Sequence, residues 1–189
     1  MTEYKRTTRE TDISLSLELQ GEGKSCIDTG IGFFDHMLTA LAAHGKMDLT
    51  LKVKGDYQVD GHHTVEDTGI VLGQALREEG AKYAPLARYG TAFIPMDEAL
   101  ARCSLDFCNR PFLVFEAQFE NPSVGQFDTC LTEEFFRAVA MNAGITLHLS
   151  LLYGKNDHHK IEAMFKAFAH AMNQAKQPAS TLLSTKGTL

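Results

Sequence analysis

Two copies of the pattern His-His-x-x-Glu carry the side chains with the clearest capacity for chemistry. The first copy runs from His62 to Glu66 and the second from His158 to Glu162. Residues four apart share one face of a helix, so the first histidine and the glutamate of each copy can bind one metal ion. One such match arises easily by chance. Two matches favour a duplicated metal centre over the alternative that both runs are only polar starts of helices.

The second histidine of each copy, His63 or His159, points about 100° away from its neighbour on a helix and is expected to bind a different ion. We predict that the two copies face each other across a pseudo-twofold axis and exchange ligands. Two shorter helices each add one ligand, Glu134 or His36. The predicted groups are His62, Glu66, His159 and Glu134 for one ion, and His158, Glu162, His63 and His36 for the other.

Imidazole and carboxylate ligands suit manganese, iron or zinc and do not choose among them. Six-coordinate ions would retain open positions for substrate or water, which a catalytic site requires. The spacing is compatible with sites inside one chain and with sites between two chains.

Composition is that of an ordinary globular protein of 189 residues, with 44% hydrophobic and 22% charged residues. The net charge of -6 offers no general attraction to nucleic acid or to an acidic membrane. An anionic ligand therefore needs a local basic cluster. The four cysteines form no C-x-x-C pair, no signal peptide is apparent and no apolar run approaches about 20 residues. We expect a soluble, cytoplasmic protein with reduced thiols.

Alternating hydrophobicity predicts strands at 13–19 and 49–54, with a short helix around Phe34 to Ala42 between them and a longer helix from His62. The second half repeats this order. Strand-like stretches near 89–106 and 112–120 precede a helix from Thr132, a strand at 145–153 and a helix opened by the second pattern.

This repeat predicts an α+β fold with an internal duplication. Each half is expected to form a four-stranded sheet with two helices, and the helices are expected to be sandwiched between the two sheets, because each apolar face needs a cover. The predicted halves are residues 1–86 and 87–189. His148 is interpreted as a surface histidine, His44 as a partner of a helix C-terminal dipole, and His170 has no predicted role.

Several longer runs resemble one known family over essentially the whole chain. They are Gly32–Leu38 (GFFDHML), Asp60–Asp67 (DGHHTVED), Asn109–Pro111 (NRP), Asn156–Lys166 (NDHHKIEAMFK) and Ser184–Gly187 (STKG). In this order they resemble the imidazoleglycerol-phosphate dehydratases. The resemblance implies a monofunctional hydro-lyase that converts imidazole glycerol phosphate into imidazole acetol phosphate in histidine biosynthesis.

The resemblance also implies two Mn²⁺ ions per site, and 24-subunit shells of identical chains with sites between subunits. Glu10 matches a substrate-contacting glutamate and is an acid/base candidate, with Glu66 or a metal-bound hydroxide as alternatives. His44 matches another substrate-contacting position and joins Glu10 and Glu66 as a catalytic candidate. Some relatives carry histidine where this chain has Glu134. Phosphate is expected to bind Arg88, Arg110, Lys166, Ser184 and Lys186, and the remaining expected substrate contacts are His36, His62, Glu66 and His158.

Two other functions fit parts of the pattern. A dinuclear metallohydrolase would use a bridging hydroxide to attack an ester or amide. A non-catalytic shell would use the histidines as structural cross-links with closed coordination spheres. Neither accounts for the basic residues and the motif order together.

Overall fold

The structure is a computed structural model that describes residues 2–187. Within that range the chain forms four helices and two four-stranded sheets, which confirms the predicted α+β class. None of the helices in residues 2–187 combines the length and apolar character needed to span a membrane.

The first half forms a sheet in the order β1-β2-β4-β3, in which β3 runs parallel to β4 and the other pairs are antiparallel. Strand β2 buries Ile13, Leu15 and Leu17 on one face, as its alternating sequence predicts. The elements are β1 (Thr2–Thr7), β2 (Thr11–Glu18), β3 (Ser25–Asp28), α1 (Gly32–Gly45), β4 (Asp48–Gly55) and α2 (His62–Lys82).

The second half repeats this topology with the order β5-β6-β10-β7 and a parallel β7/β10 pair. It differs by a small inserted hairpin, β8/β9, between the third strand of its sheet and its first helix. The elements are β5 (Tyr89–Met96), β6 (Ala99–Phe107), β7 (Phe112–Glu116), β8 (Ser123–Val124), β9 (Phe127–Asp128), α3 (Leu131–Ala143), β10 (Ile145–Tyr153) and α4 (Asp157–Ala175).

The helices lie between the two sheets. Helix α2 packs on β2 and on α3 of the other half, while α4 packs on β5, β6 and α1. Five aromatic rings from three helices meet at the centre with centroid separations of 4.8–5.4 Å. These offset and edge contacts join both halves into one core. The rings are Phe34, Phe135, Phe136, Phe165 and Phe168.

Helices α2 and α3 cross closely because α2 presents two glycines on one face. A Cβ atom on Gly69 would lie 2.9 Å from the carbonyl oxygen of Phe135, and one on Gly73 would lie 2.7 Å from that of Val139. Both distances are too short for ordinary contact with backbone. The crossing therefore requires glycine at both positions.

Gly73→Ala is expected to destabilise the protein by about 1–3 kcal/mol, because the added methyl group must push the α3 backbone away. Gly32→Ala is the matched control, since a Cβ there meets no heavy atom within 4 Å; it should change stability by less than about 1 kcal/mol. Urea unfolding midpoints measure both. Equal midpoints for the two variants would contradict this account of the crossing.

Candidate metal and phosphate site

Three predicted metal ligands from both halves converge in one chain: His36 on α1, and His158 and Glu162 on α4. The Glu162 Oε2 atom lies 3.5 Å from Nε2 of His36 and 3.2 Å from Nε2 of His158. All three donor atoms lie within 4.8 Å of one another, and within residues 2–187 this is the one group of three or more His, Cys, Asp or Glu side chains with that property.

The start of α4 is fixed locally, which sets the direction of His158. The Asn156 side chain accepts a hydrogen bond of 2.9 Å from the His158 backbone N–H and caps the helix. Buried Asp157 accepts hydrogen bonds from the backbone of Glu120 and Asn121. The first turn of α4 is thereby held against the loop that follows β7.

Glu162 is buried but remains suited to bind a cation. Burial by itself would raise the pKa of this carboxyl, whereas Lys166, His36 and His158 lower it, and the net shift is downward. Lys166 Nζ lies 2.6 Å from Oε1, the oxygen that does not face the histidines. One oxygen of Glu162 is therefore held by an ammonium group and the other is directed at the two imidazoles.

The ligands predicted for the other ion are only partly assembled within the chain. His62 Nε2 lies 3.5 Å from Glu66 Oε2, as the four-residue spacing predicts, and both side chains are more than two-fifths exposed. The Oε2 atom of Glu134 on α3 lies 3.8 Å from Nε of Arg137. In residues 2–187, neither Glu134 nor His159 brings a donor atom within 4.8 Å of the donor atoms of both His62 and Glu66.

His63 and His159 each donate a hydrogen bond from Nδ1 to a carboxylate of their own half. The Nδ1 atom of His63 lies 3.0 Å from Asp56, and that of His159 lies 2.7 Å from Glu98. These hydrogen bonds are the main reason why the pKa of each imidazole is raised. Such a contact fixes the ring and leaves Nε2 available as a metal ligand.

The Nε2 atoms of these two histidines approach acidic side chains in equivalent hairpin turns. Glu10, in the turn between β1 and β2, lies 3.7 Å from Nε2 of His63. Asp97, in the turn between β5 and β6, lies 3.6 Å from Nε2 of His159. The duplication therefore repeats the carboxylate as well as the histidine, and Glu10 belongs to this hairpin.

Asp67 holds the first hairpin on α2. Its buried carboxylate accepts hydrogen bonds of 3.0 Å from Nε of Arg6 on β1 and of 2.5 Å from Oγ1 of Thr11 on β2. Because both strands of the hairpin are bound to one side chain beside Glu66, the position of Glu10 relative to α2 is restricted.

Four of the five predicted phosphate-binding residues line one open cavity of about 620 Å³. Buried Arg88 is bound by both oxygens of Asp106, at 2.6 and 3.1 Å, and its Nη1 donates to the carbonyl oxygen of Leu183 in the C-terminal segment. Lys166 is not among the residues of this cavity and lies at the metal group. The four are Arg88, Arg110, Ser184 and Lys186.

His44 lies in the last turn of α1. Its Nδ1 atom is 3.1 Å from Nε2 of His170 on α4. Burial lowers the pKa of His44, and the charges of His170 and Lys166 lower it further, while Glu162 acts in the opposite direction. His44 therefore has a side-chain partner in addition to its place near the helix C-terminus.

The carboxylates that orient His63 and His159 were not identified from the sequence. Asp56 lies seven residues before His63, outside the helix, and Glu98 lies 61 residues before His159. The duplication could have indicated Glu98, because it aligns the hairpin turn of Glu98 with the turn that carries Glu10.

Comparisons with known proteins identify the family of the chain. The family model described as imidazoleglycerol-phosphate dehydratase matches residues 29–172. The imidazoleglycerol-phosphate dehydratase of Ruminiclostridium cellulolyticum is 56% identical over 97% of this chain and 96% of its own length. That of Acetivibrio thermocellus is 54% identical over 99% and 97%.

Two solved structures share the fold. The imidazoleglycerol-phosphate dehydratase of Staphylococcus aureus has a TM-score of 0.83 and 44% identity, covering 94% of this chain and 100% of its own. The enzyme of Pyrococcus furiosus, in complex with (S)-C348, has a TM-score of 0.86 and 36% identity, covering 98% and 99%. The chain therefore belongs to the imidazoleglycerol-phosphate dehydratase family of hydro-lyases, enzymes of histidine biosynthesis.

Proposed function

We propose that this protein catalyses the manganese-dependent dehydration of D-erythro-imidazole glycerol phosphate to imidazole acetol phosphate in the cytoplasm. The observation that carries the proposal is the convergence of His36, His158 and Glu162, with donor atoms within 4.8 Å of one another. The basic cavity at Arg88 and Arg110 supplies a separate place for the phosphate of the same substrate.

The donor set fits Mn²⁺. Two imidazoles and an ionised carboxylate are ligands that this ion accepts, and three protein ligands leave room in a six-coordinate sphere. When bound, a pair of Mn²⁺ ions would act as Lewis acids that stabilise negative charge on the substrate imidazole. The proposed ligands are His36, His63, His158 and Glu162 for one ion, and His62, Glu66, Glu134 and His159 for the other.

The proposed sites lie between subunits. His63 and His159 are held by carboxylates of their own half and do not join the three-ligand group of their own chain. A second copy of the chain can accept these imidazoles as ligands, because their Nε2 atoms are not used by the holding carboxylates. Closed symmetry then repeats the contact, and we propose a shell of 24 subunits.

Glu10 is the proposed acid/base group. Its distance of 3.7 Å from Nε2 of His63 means that a substrate bound beside His63 would lie within reach of its carboxylate. Glu66 is the alternative, and it already lies beside His62. His44 is proposed to contact the substrate near Lys166.

Phosphate recognition is proposed to use the basic cavity. Arginine presents a planar fork of donors that suits phosphate oxygens, while lysine supplies a compact charge. Arg88 is preorganised by its two bonds to Asp106. Arg110 is two-thirds exposed and lies 3.9 Å from Asp106, so it is free to turn towards an anion.

Removal of metal is expected to abolish dehydration, and addition of Mn²⁺ to restore it. Glu162→Gln should raise the Mn²⁺ concentration needed for half-maximal activity by at least about tenfold, because the ionised ligand is lost. Metal content and formation of imidazole acetol phosphate measure the effect. Release of inorganic phosphate would instead indicate a metallohydrolase, and full metal occupancy without turnover would indicate a structural shell.

Mixed assemblies test whether sites are shared between subunits. His63→Ala and His158→Ala should each be inactive alone. When the two variants are unfolded together and reassembled, about a quarter of the sites should combine an intact first motif from one chain with an intact second motif from another. Activity should return to roughly that fraction. Separately reassembled variants are the control, and continued inactivity of the mixture would contradict shared sites.

Phosphate binding is expected to order the C-terminal segment. Inorganic phosphate should slow tryptic cleavage after Lys186, and Arg110→Ala should remove this protection and raise KM by about tenfold or more, because a charged hydrogen-bond donor is lost. Lys5→Ala, which removes an exposed lysine of β1, is the matched control. Unchanged cleavage with phosphate would count against the segment as part of the site.

A further inference from the structure

Helices α1 and α4 meet along one line with a constant offset. His36 contacts Glu162 and His44 contacts His170, and each pair is separated by 126 residues in sequence. The helices therefore run parallel, and the second contact lies two turns beyond the metal group. Lys166 lies between these contacts on α4, where it binds Glu162. His36, Glu162, Lys166 and His44 all have a role in the proposed reaction. His170 is the one residue of these contacts that has none.

The two imidazoles at the end of this row form a direct hydrogen bond. Nδ1 of His44 and Nε2 of His170 are 3.1 Å apart, with ring centroids at 5.2 Å. Two neutral imidazoles share one proton across such a contact, so one nitrogen donates and the other accepts. The choice of donor fixes the tautomer of both rings.

The two possible arrangements are not equivalent. If His170 donates from Nε2, both rings carry their proton on Nε2, which is the tautomer that a histidine side chain favours in water. If His44 donates from Nδ1, both rings adopt the less favoured Nδ1–H tautomer. The intrinsic preference of both rings therefore favours the first arrangement, which leaves the Nε2–H of His44 as a donor.

The surroundings favour the neutral form of His44. Burial lowers the pKa of His44 most, the charges of His170 and Lys166 lower it further, and Glu162 acts in the opposite direction. Protonation of both rings would break the shared hydrogen bond, because both facing nitrogens would then be donors.

We propose that His170 is a positioning residue that holds His44 as its Nε2–H tautomer, so that His44 presents a hydrogen-bond donor to an oxygen of the substrate. The inference rests on the proposed function, because it takes His44 as a substrate contact. The ligand group that this donor fits is a hydroxyl or phosphate oxygen. His170 itself acts only through His44.

Nitrogen-15 NMR of histidine tests the tautomer directly. The full-length protein, labelled with [¹⁵N]histidine and kept free of paramagnetic metal, should give for His44 an unprotonated Nδ1 and a protonated Nε2. Loss of signals in His44→Gln assigns them. In His170→Ala the two His44 shifts should move towards each other as both tautomers become populated. In His170→Gln they should stay near their wild-type values, because the amide N–H can donate to Nδ1.

Kinetics then test the consequence for turnover. His170→Ala should lower kcat about three- to tenfold with a smaller change in KM, and His170→Gln should recover most of the loss. His148→Ala, an exposed histidine on β10, should leave both constants unchanged. Assembly size and thermal midpoint, measured on every variant, identify any variant that fails to fold.

Three outcomes would overturn the inference: a wild-type His44 protonated on Nδ1, His44 shifts that do not change in His170→Ala, or a changed tautomer with unchanged kcat. Failure of the proposed function has a different signature. It would appear as no dehydration by the wild-type enzyme with Mn²⁺, whatever the NMR spectra of His44 report.

Discussion

The contact between Glu162 and the two histidines is the constraint on which the rest of the structure depends. A buried carboxylate is costly unless charged partners and hydrogen bonds compensate for its lost hydration. Lys166 compensates one oxygen, and His36 and His158 face the other. Since His36 comes from the first half and the remaining groups from the second, α1 and α4 must pack in one register. The close glycine crossing of α2 and α3 supports the same central layer from its other side.

The duplicated topology explains how one chain presents two kinds of ligand. Each half carries a sheet, a short helix and a long helix that opens with two adjacent histidines. The first histidine of each long helix lies beside the glutamate one turn later. The second is held by a carboxylate of its own half, Asp56 or Glu98. In the proposed assembly, a single chain therefore offers a receiving group and a donated imidazole, which is the arrangement that a repeating assembly can use.

Much of this architecture follows from local sequence patterns, and the rest depends on tertiary contacts. Strands β2, β4 and β10 alternate in sequence because one face is buried, and the four-residue spacing predicts the His62–Glu66 and His158–Glu162 pairs. Strands β1 and β3 lack a continuous buried face, so alternation of apolar and polar residues does not predict them. The strand-like stretch near 89–106 is two strands, β5 and β6, separated by a turn at Asp97. The strand predicted for 112–120 is shorter and ends at Glu116. The pairing of His44 with His170 depends on the parallel register of two distant helices.

The carboxylate contacts of His63 and His159 have a consequence for which parts of the chain set the position of each ligand. Asp56 and His63 both belong to the first half, and Glu98 and His159 both belong to the second. Each of these imidazoles is therefore oriented by a contact within its own half, across 7 residues for His63 and 61 residues for His159. The His36–Glu162 contact spans 126 residues and joins α1 of the first half to α4 of the second. A change in how the two halves pack would therefore disturb the three-ligand group directly, while the contacts that orient His63 and His159 could persist.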